Sequence, residues 1–237
     1  MAALVAVLVA VTACTSVVSG HAVPAPIAVA DLCPGSVGTP TVVSGCVSAD
    51  VQRWWAGQVD RPVRLTVSID PAPGTVPRAC ADFLAFGTAF YCPPDGTVYV
   101  TRASLARDRR EFGVRWPYAL AVILAHEAGH LVQYVLDLPG LAATDDASSR
   151  RLEQQADCLA GVWARDAARR GRLEPAVFRD VVRRELAVVS EIHPPPGSGL
   201  EDYDEVATHG GAPERLAAYD RGYAGGPSSC GLRLPAR

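Results

Sequence analysis

The sequence predicts an α+β fold that is mainly helical, with a small β-sheet or hairpin on its N-terminal side. Strand-like patterns lie between residues 61 and 100, and from residue 103 onward apolar residues recur at helical spacing. With 237 residues, 49% of them hydrophobic, the chain can bury one substantial core or two small ones. We therefore expect a single folded domain over residues 31–237.

The N-terminal segment resembles an export signal. The apolar stretch at residues 2–13 is too short for a comfortable membrane span and suits the core of a signal peptide, which we assign to residues 1–13. Small residues then precede Cys14, as in the lipobox of bacterial lipoproteins, whose cysteine is lipidated. Residues 14–30 contain no Asp, Glu, Lys or Arg and are predicted to form a lipid-anchored flexible tether.

The expected location follows from Cys14. A lipid on this cysteine would make the membrane a partner and hold the protein at the outer face of the bacterial cytoplasmic membrane. The alternative is a plain secretory signal cleaved near Ala13 or Ala22, which would leave the protein secreted. Both alternatives export the protein.

Six further cysteines support export, because an even number in an exported chain indicates disulfide bonds. They are Cys33, Cys46, Cys80, Cys92, Cys158 and Cys230. Six cysteines allow fifteen connectivities. Proximity in the sequence favours Cys33 with Cys46 and Cys80 with Cys92, which leaves Cys158 to pair with Cys230.

The first predicted elements are a short helix, a strand and a hairpin. Residues 48–59 suit a helix, and the period-two alternation of residues 61–69 indicates a strand. Residues 90–92 and 97–100 flank a segment that ends in Asp-Gly, which predicts a hairpin. Its strand could offer an edge to an extended peptide.

Two helices follow the hairpin. Residues 103–112 suit a charged, exposed helix. The second helix is strongly apolar, has Pro117 in its first turn and is predicted to be closed by Pro139 and Gly140.

Three more helices complete the predicted fold. Ser148 or Ser149 is the candidate cap of a helix over residues 150–170. Residues 173–192 indicate an amphipathic helix with its arginines outward. An acidic loop and the segment His209-Gly210-Gly211 lead into the last helix.

The apolar helix carries His126-Glu127-Ala128-Gly129-His130, which predicts a catalytic zinc site. On a helix His126 and His130 share one face, roughly 6 Å apart, so both imidazoles can bind one metal ion. Glu127 projects towards the open side of such a metal, where it can take a proton from bound water. Core histidines beside a solvated glutamate are the alternative. A helix this apolar would then bury three ionisable groups without a cationic partner, which is unfavourable.

A catalytic zinc ion takes three protein ligands and keeps a fourth position open. Glu153 and Asp157 share one face of the next long helix. We predict Glu153 as the third ligand. Asp157 is expected to accept the remaining N–H of a metal-bound histidine such as His126. Cys158 turns away from Glu153 on that helix, which argues against a cysteine ligand.

The charge of the chain bears on its partners. The formal net charge is -3 and the pI is about 5.9. Phosphate binding requires a basic surface, so we expect no nucleic acid partner. A peptide or protein substrate is the predicted partner.

Four blocks of the sequence resemble the bacterial family of putative neutral zinc metallopeptidases. They are His-Glu-Ala-Gly-His-Leu-Val-Gln at 126–133, Leu-Glu-Gln-Gln-Ala-Asp-Cys-Leu-Ala-Gly-Val-Trp-Ala at 152–164, Phe-Tyr-Cys-Pro at 90–93 and Thr-His-Gly-Gly-Ala-Pro-Glu-Arg at 208–215. The resemblance implies a thermolysin-like zincin core with Zn²⁺ bound by His126, His130 and Glu153, and with Glu127 as general base. The N-terminal third diverges from the family pattern.

The resemblance also points to His209. Thermolysin-like enzymes place a histidine from a later helix over the open face of the zinc, where it stabilises the oxyanion. His209 is the candidate for this catalytic role. Two structural alternatives stay open: His209 caps the last helix, or it pairs with Asp204 or Glu205.

The predicted function is an exported zinc peptidase that hydrolyses peptide bonds through a zinc-activated water with Glu127 as general base. A non-catalytic zinc-stabilised binding lipoprotein is one alternative, although a purely structural site needs no base. Hydrolysis of a cell-wall amide is the other.

Overall fold

The computed structural model describes residues 32–33, 38–72, 74–138, 145–200 and 202–234. The predicted signal peptide, the tether and Cys14 lie outside these residues, so they stay predictions, as does the domain boundary at residue 31. Among the described residues, no helix combines the length and the apolar character that crossing a membrane requires.

The described residues form a mainly helical α+β fold, which confirms the predicted class. The α-helices are α1 (Pro40–Ala56), α2 (Arg102–Phe112), α3 (Trp116–Val135), α4 (Asp146–Arg169), α5 (Pro175–Val189), α6 (Glu205–His209) and α7 (Ala212–Gly225). The strands are β1 (Thr66–Ile69), β2 (Ala89–Cys92) and β3 (Thr97–Val100). Short 3₁₀ helices cover Arg78–Phe86, Gly113–Arg115 and Pro227–Cys230.

The three strands form one sheet in the order β1-β3-β2, with β1 parallel and β2 antiparallel to β3. The predicted hairpin is confirmed, and Gly96 in its turn has a φ of 68°, which favours glycine. Strand β1 is shorter than predicted. The Leu65 amide donates to Gln52 Oε1 at 2.8 Å and does not join a strand. Strand β2 is an edge of the sheet.

Helix α3 is the centre of the core. Every residue from Tyr118 to Ala125 is buried, and α3 packs against α1, α2, α4 and α5 as well as β2. An uninterrupted apolar run suits this position, because all sides of the helix meet other elements. The helix ends at Val135, before the predicted stop at residues 139 and 140, which lie outside the described residues.

Several predicted helix limits were wrong. Helix α1 begins at Pro40, where Thr39 accepts a hydrogen bond from the Val42 amide. Helix α4 is capped by Asp145, and Ser148 is the third helical residue of a capping box, so neither Ser148 nor Ser149 is the cap.

Three further corrections concern the predicted helices. Helix α5 is shorter than residues 173–192 and begins at Pro175. Helix α6 forms within the predicted acidic loop, capped by Asp204. Helix α2 is not exposed throughout, because Asp108 is fully buried.

Three disulfides join the six described cysteines. The pairs are Cys33–Cys46, Cys80–Cys92 and Cys158–Cys230, those that proximity in the sequence favours. The last pair connects α4 to the C-terminal 3₁₀ helix.

Candidate metal centre

Helices α3 and α4 approach closely at a glycine. A Cβ atom on Gly129 would lie 2.8 Å from the Cα of Ala156, so a larger residue would push the helices apart. Residues 153 and 157 lie on either side of Ala156 along α4. The glycine in the His-Glu-Ala-Gly-His segment therefore brings the acidic face of α4 onto the histidine face of α3, a role that the sequence analysis did not identify.

Three side chains converge at this contact. His126 Nε2 lies 3.2 Å from His130 Nε2 and 3.1 Å from Glu153 Oε2, and His130 Nε2 lies 3.3 Å from the same carboxylate oxygen. Within the described part of the chain, no other three His, Cys, Asp or Glu side chains bring their ligand atoms within 4.8 Å of one another. Tetrahedral zinc with bonds of about 2.1 Å separates its ligand atoms by about 3.4 Å, so the donor set fits zinc.

A buried ion pair orients His126. Its Nδ1 donates to Asp157 Oδ1 at 2.8 Å, the contact expected of Asp157. Both carboxylate oxygens of Asp157 also accept hydrogen bonds from Arg215, at 2.8 and 3.1 Å. A proton held on Nδ1 leaves the Nε2 lone pair directed at the metal position. Arg215 ends the block at residues 208–215, and the sequence analysis did not predict its contact with Asp157.

A chain of amides orients His130. Its Nδ1 donates to Gln133 Oε1 at 2.9 Å, and Gln133 Nε2 donates to Leu152 O at 2.8 Å and to Gln155 Oε1 at 3.0 Å. Gln155 Nε2 in turn donates to the carbonyl of Cys230 at 2.9 Å. The sequence analysis assigned no role to either glutamine. Gln133 could have been found, since it lies three residues after His130 on the same helix face.

The electrostatics of the cluster favour a cation. Burial alone lowers the pKa of His126, but the Asp157 and Glu153 carboxylates outweigh it and raise that pKa to about 10. Burial opposes ionisation of Glu153, yet His209 and His130 hold its pKa well below its usual value. The two Nε2 atoms and the Glu153 carboxylate thus face one point where positive charge is favoured, whether bound protons or a metal ion supply it. This arrangement suits a divalent metal ion.

The candidate centre opens into a cavity of about 730 Å³. Glu127 is buried and lines this cavity together with the three converging side chains. Residues Ala89, Phe90 and Tyr91 of edge strand β2 line it too. Apolar side chains from several elements form most of the remaining wall.

His209 also reaches the cluster. Its Nε2 lies 3.4 Å from Glu153 Oε2, and its Nδ1 lies 3.1 Å from the Tyr203 hydroxyl and 3.4 Å from Glu205 Oε1. His209 ends α6 and does not cap the last helix, because the N-cap of α7 is Gly211. The contact with Glu205 is one of the two pairings considered for this histidine.

Comparisons with known proteins agree with the site chemistry. Residues 72–232 match the family described as "Putative neutral zinc metallopeptidase". The chain is 30% identical over 151 residues to Uncharacterized protein YpfJ of Escherichia coli K12. The aligned residues cover 60% of this chain and 52% of the relative. Over 172 residues it is 31% identical to Uncharacterized protein Mb2605 of Mycobacterium bovis and to Rv2575 of Mycobacterium tuberculosis, covering 66% of this chain and 59% of each relative.

The chain thus spans between about half and three fifths of the length of the curated relatives it matches. No solved structure matches it.

Proposed function

Because the chain belongs to the family of putative neutral zinc metallopeptidases, we propose that it is a zinc-dependent peptidase with a zincin-like core. The ligands are His126, His130 and Glu153. The observation that carries this proposal is the convergence of their donor atoms in a cavity that Glu127 also lines.

Each side chain of the proposed centre has a separate role in hydrolysis. Zinc bound by two histidines and a glutamate lowers the pKa of a water molecule and polarises a carbonyl group. Glu127 accepts the proton of the attacking water and later delivers it to the leaving amine. Asp157 and Arg215 keep His126 in the required tautomer.

His209 is proposed to stabilise the oxyanion. Its Nδ1 lies near two hydroxyl groups, of Tyr203 at 3.1 Å and Thr208 at 2.9 Å. The Tyr203 hydroxyl donates to Glu205 Oε2, so the Thr208 hydroxyl is the proposed donor to Nδ1. The imidazole proton then lies on Nε2, the nitrogen that faces the candidate centre. Such a donor lowers the energy of the transition state more than that of the substrate.

The edge strand supports a peptide as substrate. Strand β2 is bonded to β3 along one side and lies at the cavity wall. An extended peptide can add to a free strand edge by main-chain hydrogen bonds, with alternate side chains entering pockets. This mode suits a protein or peptide substrate.

Export remains part of the proposal. Three disulfides among the described residues are typical of proteins outside the reducing cytosol. Attachment to the outer face of the cytoplasmic membrane rests on the lipobox-like segment that ends at Cys14.

The test uses the full chain and a mixed peptide library, with cleavage detected by mass spectrometry. The parent should cleave peptides, and a chelator should abolish cleavage. Glu127→Gln should retain one zinc ion and the fold but lose hydrolysis, because an amide is nearly isosteric and cannot act as a base. Glu191→Gln, the same change at an exposed position, is the control.

Two results would contradict the mechanism. Unchanged turnover in Glu127→Gln would remove the assigned base. A zinc-loaded parent that cleaves no peptide would favour the non-catalytic binding protein.

A further inference from the structure

A second group of charged side chains lies in the wall of the same cavity. Asp108 of α2 is fully buried and Glu185 of α5 is 2% exposed. Glu185 lines the cavity that also contains the candidate metal centre, and Arg107 lines it beside Glu185. None of these three residues has a part in the mechanism proposed above.

The two carboxylates share one guanidinium. Arg107 Nη2 lies 3.6 Å from Asp108 Oδ1 and 3.7 Å from Glu185 Oε1, and it donates a hydrogen bond to Ser104 Oγ at 3.1 Å. The pair therefore keeps one negative charge that Arg107 does not neutralise when both carboxylates are ionised.

Hydrogen bonding within this group is incomplete. Among the described residues, no donor lies within hydrogen-bonding distance and geometry of either oxygen of Asp108 or of Glu185. Buried carboxylates are normally well supplied with donors, because an unpaired one is strongly destabilising. A buried ion pair kept only for stability should be better bonded than this one.

A cation with several N–H donors would supply these hydrogen bonds and would favour the ionised form of both carboxylates. A guanidinium carries five such donors and an ammonium carries three. The substrate is expected to bind in this cavity, which Glu185 lines. A side chain of the substrate can therefore supply the cation. We propose that Glu185, with Asp108 behind it, forms a subsite for a basic side chain of the substrate, arginine or lysine. The inference deepens the proposed peptidase function and rests on it.

The test compares arginine with citrulline, which has nearly the same shape and no charge. Peptides are acetylated and amidated at their ends, and arginine or citrulline is placed in turn at each position around the cleaved bond. At one position the parent should show kcat/KM higher for arginine by about tenfold or more, the scale of a desolvated charge pair. Glu185→Gln should reduce this ratio towards one, and Glu191→Gln should keep it.

Two results of these measurements would overturn the proposed subsite. A ratio near one at every position in the parent overturns the subsite, and this result needs no variant to fold. An unchanged ratio in folded Glu185→Gln overturns it as well. Cleavage without any preference for arginine leaves the peptidase function standing.

Binding to Glu127→Gln separates the two proposals. If this variant binds the arginine peptide more tightly than the citrulline peptide while the zinc-loaded parent cleaves neither, the subsite stands and the peptidase function fails.

Discussion

The two histidines of the candidate centre are held by partners of opposite character. His126 depends on a buried ion pair of Asp157 and Arg215, whereas His130 depends on neutral amides that begin with Gln133. The negative charge of Asp157 increases the basicity of His126, and the amides mainly fix the direction of the His130 ring. The centre thus combines one electrostatic and one geometric support.

His209→Ala tests the proposed oxyanion donor. Loss of a transition-state donor should lower kcat by roughly a hundredfold or more, with zinc content and melting temperature nearly unchanged. His193→Ala, which removes an exposed histidine, should leave both activity and stability unchanged. If His209→Ala instead loses stability while its folded fraction turns over normally, the pairing with Glu205 is the main role of this residue.

The buried carboxylate of Glu185 predicts a pH dependence of stability. Burial, reinforced by Asp108, raises the pKa of Glu185 from 4.5 to about 8, although Arg107 and Arg215 oppose the shift. Glu111 adds to the increase. The folded protein therefore binds more protons than the unfolded chain between these two pH values. This contribution to stability is complete below about pH 4.5 and is lost as the pH rises towards 8.

Calorimetry between pH 5 and pH 8 measures the effect. The melting temperature of the parent should fall as the pH rises through this range, and the fall should be smaller in Glu185→Gln, which does not titrate. Burial also raises the pKa of Asp108, to about 6, so part of the dependence should remain in the variant. Parallel curves for the two proteins would exclude Glu185 as the source.

The sequence predicted the residues whose positions a helix period determines. His126, His130 and Glu127 follow from one turn of one helix, and Glu153 with Asp157 from one turn of another. Arg215 and Gln155 could not be predicted as partners, because their contacts depend on how α7 and the C-terminal segment pack against α4. Such contacts require the tertiary structure.

At the scale of elements, α4 and α7 cross at two glycines. A Cβ atom on Gly161 would lie 2.1 Å from the carbonyl oxygen of Tyr219, and one on Gly222 would lie 1.8 Å from that of Cys158. The backbones can come this close because neither glycine has a side chain. The crossing brings Arg215 of α7 to Asp157 of α4, so it supports the candidate centre.

Gly161→Ala should therefore destabilise the fold, by on the order of 3 kcal/mol, because the added methyl group overlaps the Tyr219 carbonyl. Gly45→Ala is a matched control in α1, where among the described residues no atom beyond the adjacent backbone of its own helix lies within 4 Å of the added methyl. The control should be neutral or more stable by about 0.5–1 kcal/mol. Urea denaturation measures both variants, and equal midpoints would contradict the close crossing.

The elements differ in how well their sequences indicated them. The apolar run of α3 and the Asp-Gly hairpin have strong local signals, and both were predicted. Residues 40–47 of α1 contain Ser, Thr, Gly and Val, which have weak helix propensity, and tertiary packing makes them helical. The acidic residues before His209 indicated a loop, but Asp204 caps a short helix there.

At the scale of the whole molecule, the C-terminal segment is linked to the candidate centre in two ways. The Cys158–Cys230 disulfide attaches it to α4, across 72 residues of sequence. The carbonyl of Cys230 then accepts a hydrogen bond from Gln155, which contacts Gln133 and, through it, His130. This disulfide thus holds one end of the amide chain.

Replacing Cys158 and Cys230 with serine should lower both stability and metal affinity. The chain-entropy model gives a loss of roughly 4 kcal/mol for this long loop, against roughly 3 kcal/mol for the 13-residue separation of Cys33 and Cys46. The C-terminal segment can then leave α4, so Gln155 loses its acceptor and His130 its fixed orientation. Zinc affinity, measured by competition with a chelating dye at a temperature where both variants are folded, should fall by about 10- to 100-fold. The Cys33→Ser, Cys46→Ser variant should lose stability but keep its zinc affinity, because that disulfide links residue 33 to α1, whereas the amide chain runs through α3, α4 and Cys230. Equal zinc affinities in the two variants would mean that Gln155 and Gln133 hold His130 without help from the C-terminal segment.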